Sequence, residues 1–231
     1  MIRQKELAFD QAIDDMKHGS PILIFDDAKR EGETDLIFAS QFVTSDSIKM
    51  LRKEAGGLIC TTIRKKEADL IQLPYLEEIY ERFLPYGKKA TNTSDMGYDK
   101  HSSFTFTINH RSTYTGIPDM DRQVTISKLV EFIKNIESKE DIVDEFYTEF
   151  RIPGHVHLLI AREGYFGERR GHTELATYLV ERAGLVPSAT LAEMLSDSGR
   201  AMTFEEARNF AVEHNLTFIE GKEIIEKWTN D

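Results

Sequence analysis

Five carboxylates crowd into ten residues of the stretch FDDAKREGETDL, residues 25–36. They are Asp26, Asp27, Glu31, Glu33 and Asp35, with Lys29, Arg30 and Gly32 between them. Hard divalent cations take oxygen ligands, and Mg2+ commonly uses one or two carboxylates together with waters and substrate. Carboxylates held close also raise one another's pKa, so one of them is a candidate acid or base near neutral pH. Lys29 and Arg30 would offset part of the repulsion or receive an anionic substrate. The competing reading is a solvated, partly self-paired turn.

The segment GERRGHTEL, residues 167–175, sets Arg169, Arg170, Gly171, His172 and Thr173 ahead of a helical pattern. Unpaired N–H groups and the positive dipole end make a helix N-terminus attractive to phosphate. Arg169 or Arg170 would add forked donors. His172 is open to a different use, completing a metal site. The plainer alternative is an exposed basic turn with Thr173 as N-cap. In RIPGHVH, residues 151–157, Pro153-Gly154 predicts a turn that sets His155 just before a strand, where an imidazole can carry protons near pH 7. A structural histidine is the alternative there, and it is the reading kept for His157. Glu193, in TLAEML, lies among apolar residues and is paired, raised in pKa, or on a helix surface. Cys60 lies in an apolar run and reads as packing. A metal loop and a phosphate cradle together suit a phosphorylated, oxygen-rich small molecule.

These groups need rigid supports. Leu7, Ala8, Ala12 and Met16 share one face of a helix over 4–18, ended by Gly19. PILIF (21–25) and LIFAS (36–40) read as strands flanking the acidic loop. Ser45 caps a helix through about Ala55, stopped by Gly56-Gly57, and LICTTI (58–63) reads as a central strand. Residues 74–102 look irregular and polar, a long connection of the kind that serves as a lid. FTFTINH (104–110) alternates as a strand, and a helix follows from Asp121 or Thr125. The charged run ESKEDIVDEFYTEF then leads into the RIPGHV strand. Helical patterns follow at 174–185 and, past Pro187, around Leu191 and Met194. Thr203 and Glu206 form a capping box, LTFIE (216–220) a last strand and 221–228 a last helix. The alternation predicts one α+β domain over 1–231 with a mixed sheet.

The chain has 231 residues, 40% hydrophobic and 30% charged, which fits a packed globule. A net charge of −11 disfavours nucleic acid and anionic membranes. No apolar run is long enough to span a bilayer, and the first residues lack the apolar core of a secretory signal. One cysteine excludes an intrachain disulfide, and the expected compartment is the cytoplasm. G-x-S-x-G, Walker A, C-x-x-C, H-E-x-x-H and G-x-G-x-x-G are all absent. Hydrolase triads, P-loop chemistry, structural zinc and dinucleotide binding therefore lack support.

DDAKREGETDL, AGGLICTTI, TYTGIPDMDR, RIPGHV, RRGHTE, LAEMLSDSGRAM and FAVEHNL occur in that order. Together they resemble the 3,4-dihydroxy-2-butanone 4-phosphate synthase family over about residues 5–222. The resemblance implies a three-layer α/β/α fold around a mixed twisted sheet, without a fused GTP cyclohydrolase II domain. It implies a riboflavin-pathway lyase that converts D-ribulose 5-phosphate to L-3,4-dihydroxy-2-butanone 4-phosphate and formate, working as a homodimer with active sites near the interface. By the same resemblance, Glu31 and His172 bind Mg2+ or Mn2+, one or two ions per site. Arg30, Glu31, Asp35, Thr115, Arg169, Arg170, Gly171, His172, Thr173 and Glu193 contact substrate. His155 and Glu193 occupy the family's catalytic positions, and Asp35 or Glu33 is the candidate for removing the C3 proton. Gly32-Glu33 departs from the Asn-Glu-Gly of many bacterial members. The 74–102 stretch resembles the archaeal type, with Tyr98, Lys100 and His101 as candidates to cover substrate. Other readings are a metal-dependent sugar-phosphate isomerase or aldolase, a carbamoyl-transferring nucleotide-binding protein, and a non-catalytic binding module.

Overall fold

The computed structural model describes residues 2–230, with side chains from Ala8 onward. Leu7, expected on the apolar face of the first helix, lies outside the described side chains. Seven strands form one mixed sheet: β1 (Ile22–Phe25), β2 (Thr34–Ala39), β3 (Cys60–Arg64), β4 (Phe104–His110), β5 (Phe150–Ala161), β6 (Ala189–Glu193) and β7 (Thr217–Glu220). Their order across the sheet is β4-β5-β3-β6-β2-β1-β7. β1 pairs antiparallel with β2 and parallel with β7. β3 pairs parallel with β5 and antiparallel with β6.

Side chains alternate across a strand, and the apolar ones divide accordingly. Leu23, Leu36, Phe38, Ile63, Leu158, Ile160 and Ala192 join one buried cluster, with residues of α2 (Ser45–Met50), α6 (Asp119–Lys134), α7 (Ile142–Glu149) and α9 (Phe204–Glu213). Ile22, Ile24, Ile37, Cys60, Leu159, Leu191 and Ile219 join the other, with residues of α1 (Ile2–Lys17), α8 (His172–Arg182) and α10 (Gly221–Asn230). Helices on both faces of a mixed sheet give the expected three layers. The second face also carries Asp35 and Glu193, each an even number of residues from Ile37 and Leu191.

Several elements differ from their expected form. The segment past Pro187 is strand β6, not a helix. It sits mid-sheet between β2 and β3, where Ala189–Ala192 are all buried, so long-range pairing overrides a pattern with no polar face to declare it. α2 is capped by Thr44 rather than Ser45, since Thr44 Oγ1 accepts the Ser47 N–H at 3.2 Å. α2 then widens over Leu51–Ala55, where the Gly56 N–H reaches the Leu51 carbonyl at 2.9 Å and Gly56 ends the turn at φ +88°. The irregular 74–102 stretch carries α4 (Leu76–Phe83) and α5 (Gly87–Ala90), and α3 (Lys65–Leu70) precedes it. The charged run before β5 contains α7, anchored by fully buried Phe146 between Phe132 and Phe150, with ring centroids 5.4 and 4.9 Å away. The capping box at Thr203 and Glu206 stands, with Thr203 N donating to Glu206 Oε2 at 2.7 Å.

Candidate active site

The acidic loop joins two adjacent strands, so its ends are fixed. It closes on the Asp26 N–H, which donates to the Glu33 carbonyl at 3.1 Å, and Gly32 turns it at φ +68°. The buried Asp26 carboxylate organises the rest. Its Oδ1 accepts the Glu33 N–H at 3.0 Å; its Oδ2 accepts the Glu31 N–H at 3.1 Å and Arg30 Nη1 at 2.9 Å. With Asp26 turned inward, Glu31 is left facing His172.

His172 opens α8, where Gly171 is the N-cap, and residues 172–180 of this helix are buried. Its Nε2–H donates to the Ile24 carbonyl at 3.1 Å. A carbonyl can only accept, so this bond fixes the tautomer and leaves Nδ1 as the ligand nitrogen. Nδ1 lies 3.8 Å from Glu31 Oε2 and 3.5 Å from Asp35 Oδ1. Asp35 is opposite Ile24 on one side and Glu193 on the other, and its buried Oδ1 has no hydrogen-bond partner. Two donors about 2.1 Å from one ion are at most about 4.2 Å apart, so Glu31 and His172 fit a shared divalent ion. Asp26, Glu31 and His172 place ligand atoms within 4.8 Å of one another; both Asp26 oxygens are held by donors inside the loop, while Glu31 Oε2 accepts only Arg30 Nη1, at 2.5 Å, and is the less buried of the two carboxylates.

The electrostatics follow from this crowding. Burial pushes Asp35 up, His172 opposes it, and the neighbouring carboxylates Glu193, Glu31 and Glu33 add to the rise, leaving it at about 7. Burial alone would lower His172, but Asp35, Glu31 and Asp26 override it and raise it to about 9. Burial would raise Glu31, yet His172 and Arg30 hold it at about 2. Glu33 is raised by burial and then by its carboxylate neighbours. Asp35 therefore is a carboxyl group able to exchange a proton near neutrality.

Glu31, Asp35, Arg169, His172, Thr173 and Glu193 line one cavity of about 290 Å3, with Cys60 in its wall. Burial raises the Cys60 thiol well above its ordinary value. Glu193 Oε2 accepts the Leu58 N–H at 2.7 Å. The chain passes so close that a β-carbon on Gly57 would lie 2.7 Å from the backbone N and O of Glu193. Arg169 Nη1 donates to buried Glu174 Oε2 at 2.7 Å, and the same oxygen accepts the Gly171 N–H at 3.2 Å. Arg170 lines a neighbouring cavity instead, its Nε donating to the Phe166 carbonyl at 3.4 Å.

His155 and Thr115 do not line this cavity. Cys60 is opposite both His157 and Leu191, so His155 and Glu193 each lie two residues further toward the same end and face of the sheet. They are separated by two strand steps, about 10 Å. The expected turn at Pro153-Gly154 is a bulge within β5: pairing jumps from Val156↔Ile108 to Arg151↔Asn109. Asn109 holds the exposed His155, accepting its N–H at 2.8 Å and donating Nδ2–H to its Nδ1 at 3.1 Å. The neutral imidazole thus carries its proton on Nε2. Asn109 Nδ2 also reaches the Thr115 carbonyl at 3.4 Å. Sequence reasoning missed Asp26 as a clamp, Glu174 as the brace of Arg169, and Asn109. Only Asp26 had a signal, its place at the start of the acidic run.

The family model of 3,4-dihydroxy-2-butanone 4-phosphate synthase matches residues 10–227. The chain is 40% identical to a 3,4-dihydroxy-2-butanone 4-phosphate synthase of Methanosarcina mazei over 94% of this chain and 90% of that one. It is 38% identical to the Archaeoglobus fulgidus protein of that name, covering 96% and 94%. A solved structure of 3,4-dihydroxy-2-butanone 4-phosphate synthase in complex with two magnesium ions superposes with a TM-score of 0.73, at 26% identity, covering 94% of each chain. Sequence motifs, sheet and relatives converge: the chain belongs to the 3,4-dihydroxy-2-butanone 4-phosphate synthase family.

Proposed function

We propose that this chain is a lyase that converts D-ribulose 5-phosphate to L-3,4-dihydroxy-2-butanone 4-phosphate and formate, supplying the four-carbon unit for riboflavin. The observation that carries this reading is the 3.8 Å approach of Glu31 Oε2 to Nδ1 of His172, beside the buried Asp35. Glu31 and His172 would hold Mg2+ or Mn2+, one or two ions per site, and the bound ion supplies Lewis acidity toward vicinal sugar oxygens. Arg169, braced by Glu174, and the start of α8 at Thr173 bind the phosphate and fix the carbon chain, which is binding energy used for orientation. Asp35, buried in the cavity wall with Oδ1 free of hydrogen bonds, takes the C3 proton, with Glu33 as the alternative. Glu193 moves protons as water leaves and returns, and His155, which does not line the cavity of its own chain, joins this relay from across a subunit interface.

Incubating the pure protein with ribulose 5-phosphate and Mg2+, with and without chelator, tests this directly. Metal-dependent release of one formate per sugar is expected. An isomerase or aldolase would consume the sugar without formate, and that result would reject the reading.

A homodimer belongs to the same proposal. Exposed apolar residues Tyr114, Ile117 and Met120 flank Thr115, beside exposed His155. A second copy covering this face would bring His155 and Thr115 to the interface. Light scattering that returns a monomer at micromolar concentration would remove it. Among the described residues no helix is long and apolar enough to cross a membrane.

A further inference from the structure

The segment between α5 and β4 reaches back over the cavity and places one carboxylate where an anionic substrate group should sit. In the run 94–100 only Asp99 is not exposed. Its Oδ2 bonds Arg30 Nη2 and lies 3.0 Å from Arg169 Nε, with Asp99, Arg30 and Arg169 side chains 11%, 7% and 14% exposed. The two guanidiniums converge because Gly171 has no side chain: a β-carbon there would lie 2.6 Å from Arg30 Nη2 and would also strike Arg169. Tyr98 lays its ring 5.4 Å from the Arg30 guanidinium carbon. The posts of this loop are fixed elsewhere. Thr93 Oγ1 donates to the Lys100 carbonyl at 3.0 Å, and the Ser102 N–H to Glu77 Oε2 at 3.0 Å. Arg162 Nη2 donates to the Ser102 carbonyl at 2.9 Å. Residues 94–99 can therefore lift while Glu31 and His172 stay in place.

Asp26 and Glu31 hold Arg30 Nη1 and Glu174 holds Arg169 Nη1, but the faces that the two guanidiniums turn toward each other share Asp99 alone, and it serves them poorly. A single oxygen meets both guanidiniums, and the buried Nε–H groups of Arg30 and Arg169 have no hydrogen-bond partner. A phosphoryl group offers three acceptor oxygens and about two charges. We propose that Asp99 is a specificity-determining place-holder: its carboxylate occupies the anion position between Arg30 and Arg169 and yields it to a phosphoryl dianion, not to a carboxylate or an uncharged sugar. This rests on the phosphate cradle of the proposed function and adds the residue that sets its selectivity.

The test is calorimetric binding of inorganic phosphate, with acetate as competitor, to the full chain and to Asp99→Asn, which keeps shape and removes charge. Loss of one charge-assisted bond sets the scale, so Asp99→Asn should bind phosphate roughly tenfold tighter. Acetate should compete only in that variant. Asp95→Asn, an exposed change of the same charge in the same loop, should match wild type. Equal or weaker phosphate binding by Asp99→Asn, beside measurable wild-type binding, overturns the place-holder and leaves the cradle standing. Tightening of the same size in Asp95→Asn overturns it as a mere net-charge effect. Phosphate binding by neither protein overturns the place-holder and the cradle together.

Discussion

Asp26→Asn separates a structural clamp from a metal ligand. Asp26 has no exposed side-chain surface and receives three donors, the N–H groups of Glu31 and Glu33 and the guanidinium of Arg30. The amide will flip to keep its oxygen toward Arg30 and Glu31, so its NH2 meets the Glu33 N–H. That leaves one buried donor unpaired, at about 1–3 kcal/mol, and turns a charged partner of buried Arg30 into a neutral one, at about 1 kcal/mol more. A loss of about 3 kcal/mol follows, which in a chain of this size lowers Tm by roughly 6–12 °C. The measurement is thermal and urea unfolding in chelator, with no metal present. A ligand held only for its charge behaves in the opposite way: removing it from among Glu31, Asp35 and Glu33 relieves repulsion and leaves metal-free protein as stable or more so. A metal-free Asp26→Asn protein with an unchanged or higher Tm would refute the clamp.

Glu31→Ala and His172→Ala should each abolish formate release and metal binding; near-normal activity of either without added metal would sink the metal assignment. In metal-free protein His172 sits at about 9, above its ordinary 6.5, so the stability it contributes is full below pH 6.5 and is lost as pH rises through 9. A metal must displace that proton, so its apparent affinity should rise about tenfold per pH unit through the neutral range and level off above 9. Calorimetry at pH 7.5 in buffers of different ionisation heat should detect close to one proton released per ion, and no release contradicts the ligand role of His172. Glu193→Gln should bind substrate yet fail to turn it over, whereas normal turnover rejects proton transfer by that residue. Gly57→Ala pushes Glu193 from its Leu58 bond and should cut turnover roughly 10²-fold with little change in KM; turnover within twofold of wild type would show that Glu193 placement is not limiting.

Local chemistry along the chain determined a good deal of this protein. Alternation in FTFTINH specifies β4, the Thr203–Glu206 pair specifies the start of α9, and PILIF and LIFAS bracket the acidic loop, because these signals act over a few residues. The residue types at Glu31, His172 and Asp35 announce oxygen-loving metal and proton chemistry by themselves. Tertiary structure decided the rest. Nothing near Ala189–Glu193 in sequence shows that it is a central strand, since its partners are β2 and β3, some 130–160 residues away. The tautomer of His172 is set by the carbonyl of Ile24, and that of His155 by Asn109 across a bulge. Which arginine of the 169–170 pair enters the cavity is set by the brace of Glu174 on Arg169 and the Phe166 carbonyl that holds Arg170. A side chain's direction, protonation and partner are properties of the groups that fold against it, and those groups are remote in the chain.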